Sequence, residues 1–272
     1  MRIRIVDAFT DRPYRGNPAA VVVLDTPGFP DREHLRRIAA EMNLSETAFT
    51  HPTGAGTGAE WALRWFTPAC EVDLCGHATL ATAHVLVTTG RTAGTIRFRT
   101  RSGVLTARTR GDEGITLDFP TAPLARVPVP GGLARALGCE VTAAYDTGPH
   151  VGDLLVETGD EDTVRGLAPD LTLLGALPHR GVIVTAPARA GQAHDFVSRF
   201  FGPAVGVPED PVTGSAHTAL APLWSPRLGR DELLGLQVSP RSGSVRTMLC
   251  GDRTLLTGSA VTVLDGTLLT GP

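Results

Sequence analysis

Apolar residues in this chain fall mostly into short alternating runs broken by Gly and Pro, and twice they close into longer blocks with no polar face. Residues 3–9 and 19–24 are rich in β-branched side chains and flank a Pro/Gly turn, which predicts two strands. Asp31 precedes a pattern that predicts an N-capped helix to about residue 42. Residues 47–51 and 61–67 predict two more strands. The glycines at 54, 56 and 58 between them predict a flexible hairpin, because no helix follows them as a nucleotide-binding loop would require. Residues 76–89 predict a buried helix closed by Gly90, and residues 95–100, 103–110 and 114–119 predict a strand meander with glycine turns.

The Pro/Gly-rich stretch 121–132 predicts a linker, dividing the chain into domains 1–125 and 126–272, with the final strand able to return to the first domain. The second half repeats the plan. A strand at 154–157, a short helix at 160–166, strands at 171–174, 181–186 and 195–201, a second apolar helix at 214–224 and strands within 237–269 are predicted. Trp65-Phe66-Thr67-Pro68-Ala69 with Cys75-Gly76-His77 looks like Phe200-Phe201-Gly202-Pro203-Ala204 with Thr213-Gly214-Ser215. The offset is 132 at Gly16/Gly148, 135 at Phe66/Phe201 and 138 at Gly76/Gly214. Growth by small steps is what loop insertions in an old duplication produce.

Composition narrows the chemistry. The formal net charge of -3 gives no basic footprint for nucleic acid. An early charge at Asp7 argues against a secretory leader, and no apolar run approaches the roughly 18 residues of a membrane span, so a soluble cytoplasmic protein is expected. All 25 basic residues are arginine, which excludes a lysine Schiff base and a P-loop lysine. The cysteines, at 70, 75, 139 and 250, form no C-x-x-C pair and are expected to be reduced thiols.

Gly76 and Gly214 each open a predicted helix. A helix start presents unpaired N–H groups and partial positive charge, and glycine admits a ligand close to that backbone. Each is either a plain N-terminal glycine or half of a carboxylate site. His77 lies in the first turn of its helix; His84, about 10.5 Å further along the axis, cannot share a metal ion with it. Asp210, Ser215 and His217 do not form a hydrolase triad, since Ser215 and His217 are two apart on one helix and no G-x-S-x-G elbow is present. Asp210 reads as an acidic group near a positive helix end. Glu46, set between a helix and a strand among small and apolar residues, is either an exposed loop glutamate or a carboxylate poised as a general base.

Several longer motifs, in order along nearly the whole chain, closely resemble the PhzF family, named for phenazine biosynthesis. They are Asp7-Ala8-Phe9-Thr10, Gly16-Asn17-Pro18-Ala19-Ala20-Val21, Asn43-Leu44-Ser45-Glu46-Thr47-Ala48-Phe49, Arg64-Trp65-Phe66-Thr67-Pro68, Glu71-Val72-Asp73-Leu74-Cys75-Gly76-His77-Ala78-Thr79, Glu209-Asp210-Pro211-Val212-Thr213-Gly214-Ser215-Ala216-His217 and Gln237-Val238-Ser239-Pro240-Arg241. The resemblance implies a diaminopimelate-epimerase-like α+β fold: two similar domains, each a curved mixed or antiparallel sheet wrapped around a central helix, with the site between them, usually in a homodimer. It implies a cofactor-independent, metal-free isomerase, best known for the proton shift that isomerises trans-2,3-dihydro-3-hydroxyanthranilate, acting on a small carboxylate substrate. Glu46 then moves the proton, His77, Asp210 and Ser215 line the site, and Gly76 and Gly214 supply backbone donors for the carboxylate. Asn17, Cys75 and Thr213 fall in the same motifs as further substrate-binding candidates. Alternative readings are an isomerase of alkylidene-proline-type antibiotic precursors, a Cys75-dependent epimerase or racemase, and a non-catalytic ligand-binding member. The epimerase reading lacks a second thiol, because Thr213 stands opposite Cys75 in the repeat. The chain departs from the usual pattern at Arg241-Ser242-Gly243 and in a short stretch 224–236.

Overall fold

The computed structural model describes residues 1–54, 56, 58–109, 111 and 114–269. Part of the glycine-rich hairpin (55 and 57) and the last residue of the strand predicted at 103–110 lie outside these. The chain forms two compact units, Met1–Asp118 with the stretch from Thr257 onward, and Phe119–Leu256.

In the first unit the elements are β1 (Arg2–Ala8), β2 (Asn17–Val23), α1 (Arg32–Met42), β3 (Glu46–Pro52), β4 (Trp61–Phe66), β5 (Glu71–Val72), α2 (Gly76–Thr88), β6 (Thr95–Thr100), β7 (Gly103–Thr109) and β8 (Ile115–Pro120). β1 and β2 pair antiparallel, β2 and β3 parallel, β3 and β4 antiparallel, β4 and β6 parallel, and β6 and β7 antiparallel. The turn before β2 needs glycine at position 16: its φ is +63°, and a Cβ there would lie 2.1 Å from the Ala8 carbonyl oxygen. Asp31 caps α1 by accepting from the His34 N–H, as its sequence position predicts.

Helix α2 has no polar face because it has no exposed face. Nine of its 13 residues are buried, and it packs on β1, β2, β3 and β7. Its interior threonines return their hydroxyls to the helix, Thr79 to the Cys75 carbonyl at 2.6 Å and Thr82 to that of Ala78 at 2.7 Å. Gly90 takes a left-handed φ of +70° just beyond the helix end.

The second unit contains β9 (Ala125–Val127), α3 (Leu133–Leu137), β10 (Ala143–Asp146), β11 (Asp153–Glu157), α4 (Glu161–Gly166), α5 (Leu171–Gly175), β12 (Gly181–Pro187), β13 (Phe196–Gly202), a 3-10 turn (Pro203–Val205), β14 (Val207–Asp210), α6 (Gly214–Leu228), β15 (Glu232–Gln237), β16 (Gly243–Cys250) and β17 (Arg253–Gly258). Its pairings repeat those of the first unit: β10/β11 antiparallel, β11/β12 parallel, β12/β13 antiparallel, β13/β15 parallel and β15/β16 antiparallel. Registers repeat as well. Thr47 faces Phe66, and Val182, 135 residues on, faces Phe201. β18 (Ala260–Thr267) follows the second unit in sequence and pairs with β1. The architecture is α+β, with a mixed sheet and a central helix in each unit. No helix among the described residues is long and apolar enough to cross a membrane.

Besides adding β5, α3, β10 and β14, the structure corrects the sequence reading in three places. Residues 171–174, read as a strand, form the start of α5, because Asp170 accepts from the N–H groups of Thr172 and Leu173 at 2.9 and 3.1 Å and turns the chain into a helix. The stretch read as a linker carries β9 and buries Ala122. Helix α6 runs four residues beyond its predicted end, through Pro222 and Pro226. Pro222 has no N–H to give the Thr218 carbonyl, and the Ala122 N–H takes its place at 3.1 Å.

Candidate functional site

The resemblance-derived residues of the first unit converge on His77. Asn17 opens β2, Glu46 opens β3, and the parallel register sets Ala19 against Glu46. Cys75 is the N-cap of α2 in extended conformation, which places Gly76 and His77 in the first turn. His77 Nε2 lies 3.2 Å from Glu46 Oε2, while Nδ1 lies 3.3 Å from Asn17 Nδ2 and 3.5 Å from Cys75 Sγ. Asn17, Cys75 and His77 are buried, and the Glu46 side chain keeps 19% of its surface exposed.

These contacts assign the imidazole tautomer. An amide nitrogen only donates, so with Nδ1 accepting from Asn17 the ring proton sits on Nε2, the nitrogen 3.2 Å from Glu46 Oε2. Burial pushes the His77 pKa down to about 3, so the ring is neutral at ordinary pH. Glu46, Cys75 and His77 each also bring one donor atom together, all within 4.8 Å of one another.

In the second unit, Asp210 ends β14 and Thr213 caps α6. The Thr213 hydroxyl donates to Asp210 Oδ2. Gln237, which sequence reasoning left inside a motif without a role, ties this turn together. Its Oε1 accepts from the Thr213 N–H at 2.9 Å, and its Nε2 donates to the Asp210 carbonyl at 2.8 Å and to Thr213 Oγ1 at 3.2 Å. A fully buried glutamine at a strand end is the signal that marks it. Gly214 and Ser215 form the first turn of α6, and Ser215 Oγ accepts from Arg180 at 3.0 Å. His217 points elsewhere: its Nδ1 donates to the Thr213 carbonyl at 2.8 Å, as the Thr79 hydroxyl does to Cys75 in the first unit. Burial lowers its pKa to about 4, opposed in part by that hydrogen bond. Ser215 and His217 thus engage different partners, and no serine–histidine pair forms.

Residues 6–266 match the family described as phenazine biosynthesis-like protein, PhzC–PhzF. A Pseudomonas aeruginosa protein described as an uncharacterized isomerase is 49% identical over 264 residues, 97% of this chain and 96% of that one. The crystal structure of a PhzF-family phenazine biosynthesis protein from Enterococcus faecalis is similar with a TM-score of 0.90 at 42% identity, covering 97% of each chain. A hydroxyproline epimerase from Agrobacterium vitis, 12% identical with a TM-score of 0.60 over 98% of this chain and 91% of that one, shares the fold.

Proposed function

Since the chain belongs to the PhzC–PhzF family of phenazine biosynthesis-like proteins, we propose that this isomerase moves a proton between two carbons of a small unsaturated or cyclic amino or hydroxy acid, without cofactor or metal. The carboxylate of Glu46 removes a proton from a carbon beside a conjugated system. The resulting anion is delocalised, and the Glu46 carboxyl, after exchange with solvent, delivers a proton to another carbon, so nothing is oxidised or reduced. Neutral His77, its Nε2 3.2 Å from Glu46 Oε2, positions the carboxylate. Asp210, Thr213, Ser215, Asn17 and the N–H groups at Gly76 and Gly214 bind the amine, hydroxyl and carboxylate of the substrate. The trans-2,3-dihydro-3-hydroxyanthranilate reaction is the first substrate to try, and an alkylidene-proline acid the second. The expected homodimer belongs to this proposal too.

The observation that carries the reading is the 3.2 Å contact between a neutral, buried imidazole and the Glu46 carboxylate. The test is turnover in deuterium oxide. Wild-type protein should incorporate solvent deuterium into product, whereas Glu46→Gln should lose about 10³-fold in rate while still binding the acid. Full activity in that variant ends the assignment. A Cys75-based epimerase is kept as a second reading because Cys75 Sγ is 3.5 Å from His77 Nδ1.

A further inference from the structure

The two units diverge at the position of Glu46. In the first, Glu46 on β3 is in register with Ala19 on β2; in the second, Gly181 on β12 is in register with Asp153 on β11. A Cβ at Gly181 would lie 2.4 Å from Phe200 Cζ and 3.0 Å from the Phe201 carbonyl oxygen, so no side chain can stand where Glu46 stands. The neighbouring Arg180 is fixed instead. Its Nε and Nη2 reach Asp153 Oδ1 and Oδ2 at 2.9 and 2.6 Å, and Nε also donates to the Val151 carbonyl at 3.0 Å. Its guanidinium lies over the Phe200 ring, 5.2 Å from the centroid. The Asp153 side chain is wholly buried. Arg180 is itself exposed, but a fork held on two carboxylate oxygens and stacked on a ring is restrained in its motion.

From this fixed position Nη2 donates to Ser215 Oγ at 3.0 Å, and Ser215 occupies in α6 the place that His77 occupies in α2. A guanidinium has only donors. Ser215 Oγ therefore accepts on a lone pair, and its own proton is turned away from Arg180. A hydroxyl committed to donate, with a cation behind its oxygen, suits an anionic acceptor and gives less to a neutral amide.

We propose that Arg180 is a positioning residue that orients the Ser215 hydroxyl and so selects a substrate carboxylate. This rests on Ser215 being a substrate ligand.

Calorimetric titration of the full chain with 3-hydroxyanthranilate and with its carboxamide tests this. Wild-type protein should prefer the acid. Arg180→Gln should weaken the acid by about tenfold and leave the amide nearly unchanged. Ser215→Ala should do the same, and the double variant should lose no more than either single one, because both remove one interaction. Arg180→Lys keeps a charge against Asp153 should the glutamine variant fail to fold, and should lose part of the preference. Equal weakening of acid and amide by Arg180→Gln or Arg180→Lys, or additive losses in the double variant, overturns the role of Arg180 alone. Failure of the wild-type protein to bind either compound overturns the anthranilate-type substrate reading and this inference together.

Discussion

Arg64 and Arg199 hold equivalent places in the two units and make the same pair. Arg64 Nε and Nη2 meet Glu71 at 2.7 and 2.9 Å, and Arg199 Nε and Nη2 meet Glu209 at 2.7 and 2.8 Å. Each guanidinium also lies over the phenylalanine two residues on, 5.1 Å from the Phe66 centroid and 4.9 Å from that of Phe201. Each pair ties a strand to the segment leading into a helix start that carries site residues. Arg199 is itself buried, and its Nη1 donates to the Leu167 carbonyl at 2.7 Å. Arg199→Ala leaves Glu209 without this partner in a mostly buried place. It should lower unfolding free energy by about 3 kcal/mol, with Arg199→Lys recovering part of the loss, as read by urea denaturation.

The tautomer of His77 can be reversed. Asn17→Asp puts an acceptor beside Nδ1, draws the ring proton there and leaves the Nε2 lone pair against the Glu46 carboxylate. Turnover should fall by about 100-fold, and Asn17→Ser should cost less. Nitrogen-15 chemical shifts of the His77 ring report the switch directly, without substrate. An unchanged Nε2–H form in Asn17→Asp contradicts the assignment.

Cys75→Ser separates the two chemical readings. With Glu46 as the base, the variant should keep turnover within about threefold, since the oxygen can still meet His77 Nδ1. Loss of about 10³-fold or more places the thiol in the chemistry instead.

Acid should destabilise the fold through two buried histidines. His77 and His217 have folded-state pKa values of about 3 and about 4, below their ordinary 6.5, both chiefly through burial. Above pH 6.5 neither folded nor unfolded chain protonates them, and their contribution is complete. Below it the unfolded chain takes up protons that the folded chain refuses, and stability is lost down to the folded values. Unfolding free energy should fall by about 1.4 kcal/mol per pH unit for each histidine between pH 6 and 4. His217→Thr, which copies Thr79 of the first unit, should remove about half of that slope.

Local signals in the sequence carried much of the architecture. The cap at Asp31, the glycines that start α2 and α6, and the reach of the internal repeat were legible because each is written within a few neighbouring residues. The meeting of Asn17, Glu46 and His77 was not, since it depends on the parallel register of β2 and β3 and on how α2 seats against them. There the family resemblance named the residues that spacing left undecided. Arg180 lies in no motif and Gln237 stood in one without a role, because both act through contacts with residues distant in sequence. Helix α5 was missed because four apolar-rich residues have no measurable period. The true end of α6 was missed because Pro226, just beyond the predicted end, reads as a stop.

The pairing of β1 with β18 has a consequence for biosynthesis. β1 is made first, yet one flank of it stays bare until residue 260 and beyond have left the ribosome, with all of the second unit translated in between. A nascent chain therefore carries an unpaired strand edge through most of its synthesis, open to pairing with another chain. Closing that gap is a single late, long-range event. Slow release or crowding of polysomes should divert this protein to aggregates more readily than equilibrium stability would suggest.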